Sequence, residues 1–446
     1  MAYKKKSKSI TDDSFEEEED TESKGNEATT QSILADIKKT FKKTNPDIIS
    51  EPGKAVEFIP SGNFIYDMVT NCRFGGGFPR RRITEIFGPE HCGKSSIIYS
   101  ACAGVQRKKG LSILFDFENG WESYYAKTTF GLEEDGETFI VFQPDTAEEG
   151  DVILDKLWDL PNIDIVAIDS IDAMRPKALI ECALSDTPRI GLHAATVGRM
   201  VVKFRRFARI KNAALILANQ MRSKIDTNPR NKSGSGQGFG FQYDDNETTT
   251  GGNTLRYYAS VRMKLDYGGQ QLDEFGTNLF SGESEKALIG QIIKVMNVKN
   301  KVGTPRQKYN THFDFPRGAI KGGWNEGRDV MSILKKQGRL RQTRGKLTYL
   351  GLAIPEWAAT GSKPKCEEEF INNSEAVEDG KKLIYKLISE NGGSILEEVN
   401  SNDFTEDEIK GQDTPPEKDH TRIDKRGKVL DVSKLMNKED DEDISL

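Results

Sequence analysis

Gly88-Pro89-Glu90-His91-Cys92-Gly93-Lys94-Ser95 spells G-x-x-x-x-G-K-S, the spacing of a phosphate-binding loop, and it stands between a strand pattern and a helix pattern. Residues 82–87 alternate and are β-rich, so they read as a strand feeding the loop; residues 96–103 read as the helix behind it. The glycines let backbone N–H groups wrap a polyphosphate, and the helix N-terminus turns the positive end of its dipole on the same anion. Lys94 should reach the β- and γ-phosphates, and the Ser95 hydroxyl should bind Mg²⁺. The whole run Gly88, Pro89, Glu90, His91, Cys92, Gly93, Lys94, Ser95, with Ser96 after it, is the candidate nucleotide cradle.

Three more runs read as strands buried on both faces: residues 111–117, 163–169 and 213–219 are almost continuously apolar. With a helix expected from Gly191 to Ile210 between the last two, they predict an α/β fold with a mostly parallel sheet. A chain of 446 residues has room for about two or three domains. Its 36% hydrophobic and 30% charged residues suit a water-soluble core with polar extensions, and a net charge of −6 argues against a simple basic coat for nucleic acid. The five cysteines (72, 92, 102, 182 and 366) form no CxxC pair and read as reduced thiols of an intracellular protein. No apolar run is long enough to span a membrane, and the acidic N-terminus fits neither a signal nor a transit peptide, so a cytoplasmic location is expected.

The composition divides the chain. Residues 1–28 are charged and of low complexity, and are expected to be disordered. Residues 29–55 hold a short helix and a linker: Ile33, Leu34, Ile37 and Phe41 share one helical face, which needs a partner surface in its own domain or a neighbour. Residues 56–325 form the compact core. Residues 326–392 suggest a small C-terminal α/β domain, and residues 393–446 a polar linker ending in the acid run 439–443. Inside the core, residues 228–241 are rich in glycine, serine and asparagine with interleaved aromatics, a long loop of the kind that carries function.

A phosphate-loop ATPase needs a second acid at the end of a buried strand to hold Mg²⁺, and Asp169 after Ile165-Val166-Ala167-Ile168 supplies it. Glu118 follows a strand end near the loop helix, where a carboxylate faces the nucleotide crevice; it is either the base that activates water or a solvated loop acid. Asn219-Gln220 ends the third strand, and either senses a γ-phosphate or caps the strand.

With these positions, the chain resembles the RecA recombinase family from about Ile33 to Met331. The resemblance rests on the loop itself, Phe142-Gln143-Pro144-Asp145-Thr146, Asp169-Ser170, Pro176-Lys177-Ala178, Asn219-Gln220-Met221-Arg222, Glu247-Thr248-Thr249-Thr250-Gly251-Gly252-Asn253, Tyr258-Ala259-Ser260-Val261-Arg262 and Val298-Lys299-Asn300-Lys301. It implies a RecA-type ATPase core with an N-terminal oligomerisation helix. It also implies that Glu118 is the catalytic glutamate, that Tyr125 stacks on adenine and that Gln220 senses the γ-phosphate. Lys299 and Lys301, a solvated basic pair on composition alone, would reach a neighbouring subunit's ATP and supply transition-state charge in trans.

The resemblance further implies two DNA loops. The first lies between Ile180 and Gly191, with Arg189 and Ile190; the second runs from Met221 to Thr250, with Arg222, Lys224, Arg230 and Lys232 for phosphates and Phe239 or Phe241 for bases. Gly251 and Gly252 close the second loop. The chain departs from the family's pattern in a longer second loop, an inserted position and Pro188 in the first, Glu122 where the family has Asp, and an acidic N-terminal extension that points to a phage or other divergent lineage. The reading is an ATP- and Mg²⁺-dependent DNA recombinase that forms filaments on single-stranded DNA, pairs it with duplex, and works with single-strand-binding and mediator proteins, away from membranes. The alternatives are a hexameric helicase of the same fold and a non-catalytic, nucleotide-gated DNA scaffold or mediator.

Overall fold

The structure, a computed structural model, describes residues 19–41, 55–71, 75–183, 191–223, 247–277, 284–316, 322–343, 346–349, 369–390, 421–423 and 429–431. Helix α1 (Glu19–Phe41) comes first. Strands β1 (Phe58–Ile59) and β2 (Phe78–Pro79) pair around α2 (Phe64–Asn71). The core then runs β3 (Ile83–Gly88), α3 (Lys94–Gln106), β4 (Ser112–Asp116), α4 (Ser123–Phe130), β5 (Phe139–Phe142), α5 (Ala147–Lys156), β6 (Ile165–Asp169), α6 (Lys177–Ile180), α7 (Leu192–Ile210) and β7 (Ala214–Ser223). It continues through β8 (Glu247–Thr249), α8 (Gly252–Tyr258), β9 (Val261–Thr277), β10 (Ser284–Asn300), β11 (Lys308–Asp314), β12 (Gly323–Trp324) and α9 (Glu326–Lys336). The hairpin β13 (Leu340–Thr343) and β14 (Lys346–Tyr349) and helix α10 (Ser374–Glu390) follow. The chain divides into two compact units after Glu397, and the second contains the hairpin β15 (Thr421–Ile423) and β16 (Val429–Asp431).

One ten-stranded sheet organises the first unit in the order β12-β11-β10-β9-β3-β7-β6-β4-β5, with β8 paired to β7. The stretch from β9 to β5 is parallel throughout; β10, β11 and β12 extend it antiparallel. Alternation along the strands explains the continuous apolar runs. Ile165, Ala167, Ala214, Ile216 and Ala218 face one core with α2 and α3; Val166, Ile168, Leu215 and Leu217 face the other with α5 and α7. Burial on both faces removes the need for a polar side, as a covered parallel sheet requires.

Three features differ from expectation. The N-terminal helix reaches back to Glu19, into the segment expected to be disordered. Lys38 and Lys39 in its last turn complement the helix dipole. The expected boundary at residue 325 falls inside one packed unit: Val330 and Leu334 of α9 and Val377, Ile384 and Ile388 of α10 share a core with Phe64, whose ring meets Tyr385 edge-on at 5.7 Å. The long hairpin β9–β10 was not anticipated as paired strands; bulges interrupt its register at four places. No helix among the described residues is long and apolar enough to cross a membrane.

Candidate nucleotide-binding and catalytic site

Strand register assembles the cleft. Parallel pairing sets Gly88 beside Gln220 and Asp116 beside Asp169, so four strand ends open on one edge of the sheet. Ligands of open α/β sheets bind outside the carboxyl ends of the strands. The cleft is lined by Glu90, His91, Gly93, Lys94, Ser95, Ser96, Glu118, Tyr125, Asp169, Gln220, Gln291, Phe313 and Phe315, around about 570 Å³.

The loop is held by its neighbours. A side chain at Gly88 would stand 2.0 Å from the Leu265 carbonyl oxygen of β9, so only glycine fits there. Gly93 has φ 84°, a left-handed conformation that suits glycine, and it gives α3 no side-chain cap. The first amides of α3 are thus left for an anion. Lys94 Nζ sits at the centre of the loop and donates to the carbonyls of Gly88 (3.1 Å) and Pro89 (2.6 Å). Cys92 is buried beneath the loop; its thiol donates to Pro89 O at 3.0 Å, and burial raises its pKa. Pro89, Glu90 and His91 form the outer arch, with the His91 carbonyl accepting from Gln291 Nε2 at 3.0 Å.

Ser95 Oγ donates to Asp169 Oδ2 at 2.6 Å. Burial pushes the Asp169 carboxyl up to about 6, with the charges of Glu118 and Asp116 adding and the Ser95 hydrogen bond and Lys94 opposing. Among the described residues no three His, Cys, Asp or Glu side chains form a metal cage. A hydroxyl beside one carboxylate, with space for phosphate oxygens, instead fits Mg²⁺, which takes one or two protein ligands and completes its shell with water and phosphate.

Glu118 is exposed to the cleft, and its Oε1 accepts from Ser170 Oγ and from Gln220 Nε2, the latter at 3.1 Å. Asp116 sets the turn that carries Glu118, accepting from the amides of Gly120 (3.1 Å) and Trp121 (2.9 Å) and from Gln143 Nε2 (3.0 Å). Tyr125 is placed by Glu122, which caps α4 by accepting from the amides of Tyr124 (3.1 Å) and Tyr125 (2.5 Å). Its hydroxyl lies 3.4 Å from Ser96 Oγ. Sequence reasoning missed Gln291, Phe313 and Phe315. The two phenylalanines bracket Asp314 with the period of a strand, the signal that could have found them.

Lys299 and Lys301 do not line this cleft. Lys299 pairs with Arg262 near the start of β9, the Lys301 amide donates to Ser260 O, and the Ser260 amide donates to Ile83 O at the beginning of β3. The lysines therefore lie at the opposite end of the sheet from Gly88, roughly 16 Å along an extended strand. Lys299 Nζ donates to the last carbonyls of α8, Arg256 O (2.5 Å) and Tyr257 O (3.2 Å).

Of the expected DNA contacts, Gly251 and Gly252 are described: both have positive φ (96° and 61°) and turn the chain into α8. Arg222 lies on β7 opposite Thr248, with its side chain outside the described residues. Arg189, Ile190, Lys224, Arg230, Lys232, Phe239, Phe241 and the acid run 439–443 also lie outside them.

Residues 28–320 match the RecA N-terminal domain family. The chain belongs to the RecA family. Among RecA-family relatives, the protein named RecA of Thermotoga neapolitana is 31% identical over 299 residues, covering 67% of this chain and 76% of that one. That of Francisella philomiragia is 30% identical over 372 residues, covering 83% and 91%. That of Porphyromonas gingivalis is 32% identical over 304 residues, covering 68% and 80%. The RecA-family match spans the loop, the Ser95–Asp169 pair, Glu118, Gln220 and the two lysines.

Proposed function

We propose that this RecA-family chain is a DNA-dependent ATPase that forms filaments on single-stranded DNA and promotes homologous pairing and strand exchange, in the cytoplasm of a bacterium or a phage-infected cell. The observation that carries the reading is the convergence of Lys94, the Ser95–Asp169 pair, Glu118 and Gln220 on one cleft. Ser95 and Asp169 would hold Mg²⁺, which would supply positive charge against the polyphosphate of ATP. Lys94 and the first amides of α3 bind the polyphosphate; Tyr125, with Phe313 and Phe315, flanks the base. Glu118 orients the attacking water and takes its proton, and Gln220 meets the γ-phosphate from the neighbouring strand end.

Two features support self-assembly. Ile33, Leu34 and Phe41 of α1 are 54%, 40% and 39% exposed, an apolar face left uncovered among the described residues that a second copy would bury. Lys299 and Lys301 lie at the sheet end away from the cleft, where a head-to-tail neighbour would bring them to its own ATP. DNA binding falls to the segments between Ile180 and Gly191 and from Met221 to Thr250, with Arg189, Ile190, Arg222, Lys224, Arg230 and Lys232, and Gly251 and Gly252 just after them, as contacts. Single-strand-binding and mediator proteins are its expected partners.

Electron microscopy of the full chain with single-stranded DNA and a slowly hydrolysed ATP analogue tests this. Open helical filaments, with ATP hydrolysis stimulated by the DNA, are expected. Closed rings would transfer the chain to a helicase, and DNA assembly with no hydrolysis would make it a scaffold.

A further inference from the structure

The phosphate loop leans on the antiparallel end of the sheet, and one of its supports comes from beyond residues 28–320, the stretch that matches the family. Strand β9 meets the loop at Gly88 through Leu265, and β10 meets it at His91 through Gln291. A further contact is at Gly93. A side chain added there would stand 3.1 Å from Ile293 Cδ1 of β10 and 3.2 Å from Trp324 Cη2 of β12. The outer edge of an indole therefore closes the open side of the glycine that leads into Lys94 and α3.

Trp324 is held in turn. Strand β12 pairs it with Phe313 of β11, and its ring meets the Phe313 ring edge-on at 4.9 Å. The Asn325 amide donates to His312 O at 2.9 Å. The Asn325 side chain donates to Asp314 Oδ2 (2.6 Å) and caps α9 by accepting from the Arg328 amide (2.9 Å). One helical turn on, buried Asp329 accepts from the His312 amide (2.8 Å) and from Thr311 Oγ1 (2.7 Å), which fastens α9 to β11. The indole N–H has no acceptor among the described residues, so packing and not a hydrogen bond fixes the ring.

That packing has a use. Gly93 sits at φ 84°, and a glycine has more backbone conformations open to it than any other residue. Leaving the left-handed one would turn Lys94 and the first amides of α3 away from the polyphosphate. Cover on the open side of Gly93 removes those alternatives before nucleotide arrives. A site already in its binding shape binds more tightly, because less ordering is left to do.

We infer that Trp324 is a positioning residue for the phosphate loop: it holds Gly93 in its left-handed turn and so sets the affinity for a nucleoside triphosphate, without setting the choice of base. The inference rests on the ATPase reading above. It gives the segment that leads into α9 a share in nucleotide binding, although Trp324 does not line the cleft.

The test uses the full chain and two variants. Trp324→Leu removes the ring. Trp324→Phe keeps a ring for Phe313 but lacks the outer atoms, Cζ2 and Cη2, that face Gly93. Affinities for a slowly hydrolysed ATP analogue and its GTP counterpart are measured by competition with a fluorescent nucleotide, well below each melting temperature, beside kcat and KM for ATP. Both variants are expected to lose about tenfold in affinity for each analogue, the loss that follows if the loop holds its binding shape roughly a tenth as often. KM for ATP should rise by the same factor while kcat at saturation stays within about twofold of the parent. The preference between the two bases should not change. Trp324→Phe should melt close to the parent, and it decides the matter if Trp324→Leu does not fold. Unchanged triphosphate affinity in Trp324→Phe overturns the inference. So does an altered base preference, which would place the effect at Phe313, or a fall in kcat with KM unmoved. A parent chain that binds neither analogue overturns the ATPase reading itself, a failure seen without any variant.

Discussion

Ser95 and Asp169 meet across the cleft, the serine hydroxyl donating to the carboxylate at 2.6 Å, and so join the first turn of α3 to the end of β6. The contact ties the phosphate loop to the strand that is buried on both faces of the sheet. It also places a carboxyl where a divalent cation would sit, and burial raises the pKa of that group to about 6.

That shift has a sign. An acid held above its ordinary 3.8 keeps its proton more readily in the folded chain. Its contribution to stability therefore falls as pH rises from about 4 to 6 and stays low above that. Asp169→Asn removes the penalty. Without nucleotide, its stability advantage over the parent should grow through that window and level off at roughly 2–3 kcal/mol, as chemical denaturation at a series of pH values would record. Magnesium-dependent nucleotide binding should be lost in the same variant, and in the parent it should weaken as pH falls below about 6.

Lys94 and Glu118 should separate binding from turnover. Lys94→Ala is expected to abolish hydrolysis and severely weaken ATP binding, because the ammonium sits inside the loop. Glu118→Gln should keep nucleotide affinity while kcat falls about 10²–10⁴-fold, the usual contribution of a general base. A fluorescent nucleotide titration beside a steady-state assay reads both; near-normal DNA-stimulated turnover in Glu118→Gln would remove Glu118 from the chemistry.

The two lysines should work on a neighbour's nucleotide. Protein carrying Lys299→Ala and Lys301→Ala, mixed with Lys94→Ala protein, should recover part of the activity that each lacks alone, because some interfaces then hold one intact half-site from each. Mixtures that stay inactive while co-sedimenting would place the lysines outside the reaction.

Gly88→Ala should be far more damaging than its size suggests. The added carbon would stand 2.0 Å from Leu265 O and 2.9 Å from Cys92 Sγ, whereas at Gly120 an added carbon meets nothing within 4 Å. Thermal melts should show Gly88→Ala destabilised by about 1–3 kcal/mol and unable to bind nucleotide, with Gly120→Ala close to the parent.

Removing residues 438–446 should speed loading onto duplex DNA and lower the Mg²⁺ needed for strand exchange, because five consecutive acids at 439–443 would compete with DNA phosphate for basic surfaces. The difference from the full chain should shrink as salt rises. Identical Mg²⁺ and salt profiles would show that the tail has no such role.

The sequence by itself marked the local positions that meet in the cleft. Gly88 to Ser95 announced a phosphate loop because loop, strand and helix are contiguous, and Asp169 and Glu118 were legible because each follows a strand with its own apolar signature. Strand identity was equally legible, since burial on both faces leaves a run of apolar residues in the chain itself. Tertiary structure decided what depends on register and on distant partners. Phe313 and Phe315 reach the cleft only because β11 extends the sheet antiparallel beyond β10. The helices after residue 325 share their core with Phe64 because apolar surface on both remained to be buried, a match that no local pattern records. Glu85, Asn219, Thr249 and Arg262 come from four separate stretches, and only pairing of β3 with β7 and β9 brings them together. A buried carboxylate is intelligible only once its donors are known, because the hydrogen bonds that make its burial tolerable come from residues far away along the chain.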